Sequence, residues 1–341
     1  MAVRDTRGAH TIALDLMGGE HAPASTIGAA LRALESGTLI HAFGTEDAVN
    51  ELRGRWDGPG LAVTVCTEVI QDHEHPLQSI REKVDSSIHQ GLLAVKEGRA
   101  GAFVSAGSTG ALVAGGVVLV GRADGVDKPC MGQVFPTADG RGVFFVDLGA
   151  SSDVRPQTLV QFAILGKVYA TEVLGWKAPT VRLLNIGAEA EKGNALYRKA
   201  YSLLAGTVDG FQGNIEARDV FSGKAQVVVA DGFTGNVFLK ACEGASAFLM
   251  SALRREVTKT LVRKAAAGVL RPAFSGAKAL LDYTAYGGAP LLGLTGCVIK
   301  CHGSSNREAI VNGIGQARAF LEKDVASVMM RSLSESAKKG E

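Results

Sequence analysis

Aromatic residues make up only 6% of the 341-residue chain, too few for the stacking platforms that hold single-stranded nucleic acid. Neither sign of charge is in excess. The 36 Lys and Arg against 34 Asp and Glu leave a net +2, without the basic bias of a nucleic-acid binder, so no nucleic-acid partner is expected. Cysteine is sparse and odd in number: Cys66, Cys130, Cys242, Cys297 and Cys301, with no Cys-x-x-Cys pair. A disulfide framework is therefore not expected, and the chain reads as cytoplasmic with reduced thiols. Cys297, Cys301 and His302 lack a second pair at zinc spacing, so no metal is expected either. Met1–His10 is polar and carries both charge signs, unlike a secretory leader. The long uncharged run Ala100–Gly121 could span a bilayer by length alone. It holds six glycines with Ser105, Ser108 and Thr109, which a strand, a loop and a helix explain better than a membrane span. Three catalytic signatures are also missing: the Walker G-x-x-x-x-G-K-[ST], a G-x-G-x-x-G after the first strand, and the G-x-S-x-G elbow.

Glycine is what the chain has in excess, 43 of 341 residues against about 7% in typical proteins. There is no collagen period, and 46% hydrophobic content is too high for a disordered tract. The excess therefore belongs to a folded protein with many tight turns or close backbone approaches.

Short apolar runs alternate with helical stretches. Strands are predicted at Thr11–Asp15, Ile40–Phe43, Ala62–Cys66, Ala102–Ser105, Gly132–Phe135, Val143–Asp147, Val181–Asn185, Gln226–Ala230 and Cys297–Lys300. Helices are predicted at Ala24–Glu35, Ser86–Glu97, Gly110–Val120, Pro156–Leu174, Asn194–Leu204, Val237–Val262 and Asn306–Glu322. Continuous apolar strands that alternate with helices predict an α/β fold with a doubly wound, mostly parallel sheet covered on both faces. No linker divides the chain, so one α/β/α domain with soft lobes is expected over residues 1–341. Its polar tail, residues 324–341, is expected to fray.

Six strand ends carry Gly with polar residues, after Asp15, Ser105, Asp147, Asn185, Ala230 and Lys300. In open parallel sheets ligands bind outside the carboxyl ends of strands, so the six together suggest one cleft. Each alone is also ordinary turn chemistry. The sharpest is Ser105-Ala-Gly-Ser-Thr-Gly110, ahead of an apolar helix. Gly107 and Gly110 would let backbone N–H groups approach an anion, and Ser108 and Thr109 add hydroxyls. The same segment also reads as a plain N-cap. Nearby candidate cations are Arg81, Lys83, Lys192, Lys300 and His302.

Several segments together resemble the bacterial acyl-acyl-carrier-protein:phosphate acyltransferase (PlsX-type) family. They are Ala13-Leu-Asp-Leu-Met-Gly-Gly-Glu-His-Ala-Pro23, Arg81-Glu-Lys-Val-Asp-Ser-Ser87, Ser105-Ala-Gly-Ser-Thr-Gly-Ala111 and Asn185-Ile-Gly-Ala-Glu-Ala-Glu-Lys-Gly-Asn194. Asn214-Ile-Glu-Ala-Arg-Asp219, Asp231-Gly-Phe-Thr-Gly-Asn-Val237, Tyr286-Gly-Gly-Ala-Pro-Leu-Leu-Gly-Leu294 and Val298-Ile-Lys-Cys-His-Gly-Ser-Ser305 complete the set. Glu20, Ser151 and Ala217 stand where that family more often has Asp, Asn and Gly.

The resemblance implies an isocitrate/isopropylmalate dehydrogenase-like α/β/α sandwich shared with phosphotransacetylases. It implies transfer of a long-chain fatty acyl group from acyl carrier protein to inorganic phosphate, without a cofactor. It further implies a homodimer, peripheral membrane association and a downstream glycerol-3-phosphate acyltransferase. On this reading Gly107, Ser108, Thr109 and Gly110 cradle phosphate, helped by Lys83 or Arg81. Gly18, Gly19, Asn194 and Thr234 join the binding set. Lys192, Lys300 and His302 stabilise the oxyanion or leaving group, oriented by Asp15, Asp231 and Asn236. Two other readings remain: a phosphotransacetylase-like enzyme acting on coenzyme A thioesters, and a non-catalytic membrane-bound scaffold.

Arg254–Lys278 carries seven basic residues against Glu256 alone, interleaved with Leu253, Val257, Leu261, Val262, Val269, Leu270 and Phe274. With Gly268 and Pro272 as breakers, a protruding basic helical hairpin is predicted at about residues 245–284. Such an element suits anionic lipid through Leu261, Val269, Leu270 and Phe274, acidic carrier protein, or a dimer contact.

Overall fold

A computed structural model describes residues 6–274, 276 and 287–340. Lys278, Tyr286 and the last part of the predicted hairpin lie outside the described residues.

The chain runs α1 (Thr6–His10), β1 (Ile12–Asp15), α2 (Ala24–Glu35), β2 (Ile40–Gly44), α3 (Glu46–Arg55) and β3 (Leu61–Val65). It continues through α4 (Pro76–Glu82), α5 (Ser87–Lys96), β4 (Ala102–Ser105), α6 (Thr109–Gly115) with a π turn over Gly116–Val120, β5 (Cys130–Phe135) and β6 (Val143–Val146). Next come α7 (Pro156–Glu172), β7 (Val181–Asn185), α8 (Ala195–Thr207), β8 (Phe211–Glu216), β9 (Val227–Val229), α9 (Gly232–Val257) and α10 (Leu261–Val269). Last are β10 (Ala289–Leu292), β11 (Cys297–Lys300), α11 (Arg307–Glu322) and α12 (Val325–Gly340).

The strands form one sheet of order β3-β2-β1-β4-β11-β10-β5-β6-β9-β7-β8. Pairing is parallel through β3-β2-β1-β4-β11 and again through β6-β9-β7-β8. The steps β11-β10, β10-β5 and β5-β6 are antiparallel and join the two parallel blocks.

Side-chain alternation explains the sandwich. Ile12 and Leu14, Ala102 and Val104, and Phe144 and Val146 enter one core with α2, α7, α8 and α11. Ala13, Phe103, Val143 and Phe145 point the other way, into a second core with α5 and α6. Strands buried on both faces need helices on both, which is the predicted α/β/α arrangement.

Sequence and structure differ in instructive places. β8 and β10 were not predicted. β8 is an edge strand of mixed polarity with Gly213 in the left-handed region, and β10 contains Pro290. β10 tolerates its proline because its pairing with β5 takes in only Leu291 and Leu292, which leaves Pro290 without a ladder partner on that side. Helices α3 and α4 were also missed. The predicted helix over Gly110–Val120 divides into α6 and the π turn. α9 begins at Gly232, five residues before the predicted start, because Asp231 accepts a hydrogen bond from Thr234 N (2.9 Å) as its N-cap. It ends at Val257, and α10 follows separately. The predicted frayed tail is a helix: Val325, Met329 and Leu333 recur every fourth residue and are buried.

Candidate active site

The loops after β1, β4 and β11 interlock. Asp15, fully buried, accepts from Met17 N (2.9 Å) and from Ser105 Oγ (2.6 Å). Ser105 Oγ in turn accepts from Gly107 N (3.0 Å), and Cys301 N donates to Ser105 O (2.8 Å). Gly18 has no room for a side chain, because a Cβ there would collide with Gly107 N and Asp15 Oδ2. Glu20 N donates to Gly303 O (2.7 Å). Burial pushes the Asp15 carboxyl above its ordinary range, against the hydrogen bond from Ser105.

A second buried aspartate organises the opposite block. Asp147 accepts from Met131 N (2.8 Å), Gly149 N (3.1 Å), Ala150 N (3.1 Å) and Ser151 N (2.7 Å). Burial raises its carboxyl to about 6 while these donors hold it down. α9 then packs on this turn at Gly235, where a Cβ would strike Asp147 O. Asp231 accepts from Thr234 N, from Thr234 Oγ1 (2.6 Å) and from Tyr197 OH (2.5 Å).

Between these walls lies a cleft of about 700 Å³. Its lining includes Ser108, Thr109, Gly110, Asn236, Lys300 and His302, with Lys240 and Glu243 on α9. Val113, Ala114, Met131, Leu148, Leu239 and Ala289 supply an apolar wall. Glu20 and Asp72 stand at its lining as well.

Lys300 Nζ donates to Ala106 O (3.3 Å) and to Cys301 O, which turns it toward the Ser108 loop. Burial pulls its ammonium below the usual lysine range. His302 Nδ1 accepts from Ser304 N (3.2 Å), which leaves Nε2 to carry the proton of the neutral ring. Burial, then the neighbouring Lys300 charge, lowers the His302 pKa. Lys240 pairs with Glu243 at 2.8 Å.

The structure thus brings Ser108, Thr109, Gly110, Asn236, Lys300 and His302 to one cleft. Asp15, Gly18, Gly19 and Gly107 belong to the wall behind it. Asp231 and Thr234 form the α9 cap rather than part of the lining. Lys192 and Asn194 do not line the cleft. They follow β7, which lies beyond β9 toward the sheet edge, so five of the six strand-end clusters converge and the Asn185 cluster does not. Asn194 instead caps α8 by accepting from Tyr197 N (3.0 Å). Arg81 is exposed in the last turn of α4 and lies off the cleft, and Lys83 is paired with Glu74. Neither lines the lumen as a phosphate contact.

Sequence reasoning missed Lys240, Glu243, Asp72 and the organising role of Asp147. Lys240 follows Asn236 by four residues, the spacing of one helix face. Starting α9 at its Asp231 cap would have revealed it.

Residues 10–328 match the family model described as fatty acid synthesis protein. A phosphate acyltransferase of Brevibacillus brevis is 42% identical over 324 residues, covering 94% of this chain and 97% of that one. The chain belongs to the phosphate acyltransferase family. A family member from Alkaliphilus oremlandii is 43% identical over 326 residues, covering 95% of this chain and 97% of its own. Among solved structures, a phosphotransacetylase from Streptococcus pyogenes superposes with TM-score 0.59 at 14% identity, covering 94% of this chain and 99% of that one. One from Staphylococcus aureus gives 0.57 at 15%, covering 92% and 95%. At that identity the likeness is one of fold, and it matches the α/β architecture that the strand and helix pattern predicted.

Proposed function

We propose that the chain transfers a long-chain fatty acyl group from acyl carrier protein to inorganic phosphate, giving an acyl phosphate for phospholipid synthesis. The observation that carries this is the mixed lining of one cleft: hydroxyls and cations that suit phosphate together with apolar side chains that suit an acyl chain. The names of the relatives support transfer to phosphate.

The chemistry follows from the reactants. Phosphate is already an anion, so it needs holding and desolvation rather than a strong base. Ser108, Thr109 and the N–H groups of their loop bind it beside Lys300. A phosphate oxygen attacks the thioester carbonyl, and the new oxyanion is met by the Lys300 ammonium and the His302 Nε2–H. Collapse breaks the C–S bond and keeps the new C–O bond. The thiolate leaves toward these cations and takes a proton from Lys300 or solvent. Asn236 and Lys240 complete the polar wall, while Asp15 and Asp147 fix the two backbones that bear it.

The donor is tested by comparing palmitoyl-acyl carrier protein with acetyl-coenzyme A at equal phosphate. The carrier-protein donor is expected to yield acyl phosphate at the higher kcat/KM; the reverse preference would favour the phosphotransacetylase reading.

The chain works in the cytoplasm as a homodimer at the membrane, handing its labile product to a glycerol-3-phosphate acyltransferase. No helix among the described residues is long and apolar enough to cross a bilayer. The support is in α9 and α10. Beyond Leu239 no residue of α9 is buried, and α10 has none. Leu261, Val269 and Leu270 are 86%, 80% and 52% exposed beside Arg263 and Lys264, and Phe274 is half-buried. Apolar side chains on a basic helix suit an anionic lipid surface. Leu261→Ser with Leu270→Ser is expected to cut binding to phosphatidylglycerol vesicles at least about tenfold in a sedimentation assay. Equal sedimentation would assign the surface to protein contacts instead.

A further inference from the structure

Lys83 stands in a family-like motif and carries a charge suited to phosphate, yet it does not line the cleft. Its Nζ donates to Val69 O (2.9 Å) and to Glu74 Oε1 (2.6 Å). The same Glu74 oxygen accepts from Gln71 N (2.9 Å), and Glu74 N returns a bond to Gln71 O (3.2 Å). The loop between β3 and α4 is therefore folded around one cation.

Its base is closed separately. Thr67 donates through N (2.9 Å) and Oγ1 (2.5 Å) to Asp85 Oδ2. The far side of the loop reaches the cleft, where Asp72 and Pro76 are lining residues. Pro76 lies flat against Gly110, where an added Cβ would come within 2.5 Å of Pro76 Cγ. Gly110 belongs to the Ser108–Gly110 turn, which lines the cleft. A connected path thus runs from Lys83 through Glu74 and the loop to Pro76, and from Pro76 to the backbone that faces phosphate.

We propose that Lys83 and Glu74 are positioning residues, a clasp that holds the 69–75 loop and so presses Pro76 onto the phosphate-binding turn at Gly110. The proposal rests on the acyl-transfer reading for its kinetic consequence, while the clasp itself is a statement about the fold. It replaces a direct phosphate contact for Lys83 with an indirect one and brings in Glu74, which has no part in the chemistry.

A double-mutant cycle with Glu74→Gln, Lys83→Met and both together separates the alternatives. Each single variant is expected to raise KM for phosphate about tenfold and leave kcat within about threefold, since turn placement affects binding more than chemistry. The double variant is expected to be no worse than Lys83→Met alone, because that change already removes the Glu74 contact along with the bond to Val69 O. Amide hydrogen exchange over residues 69–76 should accelerate in all three proteins, with the thermal midpoint little changed. Loss of kcat in Lys83→Met with Glu74→Gln silent, or additive losses in the double, would overturn the clasp and put Lys83 on the substrate. Unchanged exchange over 69–76 would overturn it too. If the wild-type protein formed no acyl phosphate, the functional reading would fail, and the exchange data would still decide the clasp.

Discussion

Lys300→Ala is expected to lower kcat/KM for acyl phosphate formation by about a hundredfold to a thousandfold, the usual cost of removing one preorganised oxyanion partner. The loss should fall mainly on kcat, because the interaction strengthens only as charge develops on the carbonyl oxygen. Lys300 suits the role because its carbonyl partners, Ala106 O and Cys301 O, hold the ammonium toward the Ser108 loop without neutralising it. Burial lowers its pKa, so activity should decline on the alkaline side earlier than an ordinary lysine would allow. Lys300→Arg keeps the charge and should recover part of the rate. A Lys300→Ala protein within about tenfold of wild type would remove Lys300 from the transition state.

The second large effect concerns stability. Asp147→Ala strands four backbone N–H groups, two in buried bonds (Met131 and Ser151) and two in part-buried ones (Gly149 and Ala150). The expected cost is about 3–5 kcal/mol by urea denaturation at pH 8. The pH dependence has a definite sign. The folded carboxyl sits near 6, above its ordinary 3.8, so the folded state binds the proton more tightly. Wild-type stability due to this group is then greatest below about pH 4 and falls as pH rises to about 6. The gap between wild type and Asp147→Ala should narrow over that window by up to about 3 kcal/mol. A gap that widens with rising pH would mean that the four donors outweigh burial. Asp15 is raised in the same direction and by the same first cause.

Much of this was legible in residue order. Strands such as Ala102–Ser105 and Val181–Asn185 are continuous apolar runs bounded by Gly and polar residues, and their limits coincide with those observed. The convergence of strand ends was visible because Ser108, Asn236 and His302 each follow such a run and Lys300 ends one. What periodicity could not convey is order across the sheet. Nothing local to Asn185 or Lys192 says that β7 lies beyond β9. Nor does any local signal put Pro290 in a strand between two antiparallel partners. Lys83 shows the same limit at the level of one side chain. Its charge and motif pointed to phosphate, whereas its partner Glu74 is fixed by a loop that no sequence period describes. Asp231 read as a catalytic group because capping and catalysis both favour Asp ahead of Gly and Thr. The bonds from Thr234 and Tyr197 place Asp231 at the α9 cap, outside the cleft lining.

The central claim is that this cleft joins a fatty acyl group to phosphate. The most direct measurement mixes the purified chain with palmitoyl-acyl carrier protein and inorganic phosphate, then traps acyl phosphate with hydroxylamine and counts free carrier thiol. The expected result is one thiol released for each acyl phosphate formed, at a rate that saturates with phosphate. Thiol release that does not depend on phosphate, or no release at all, would contradict it.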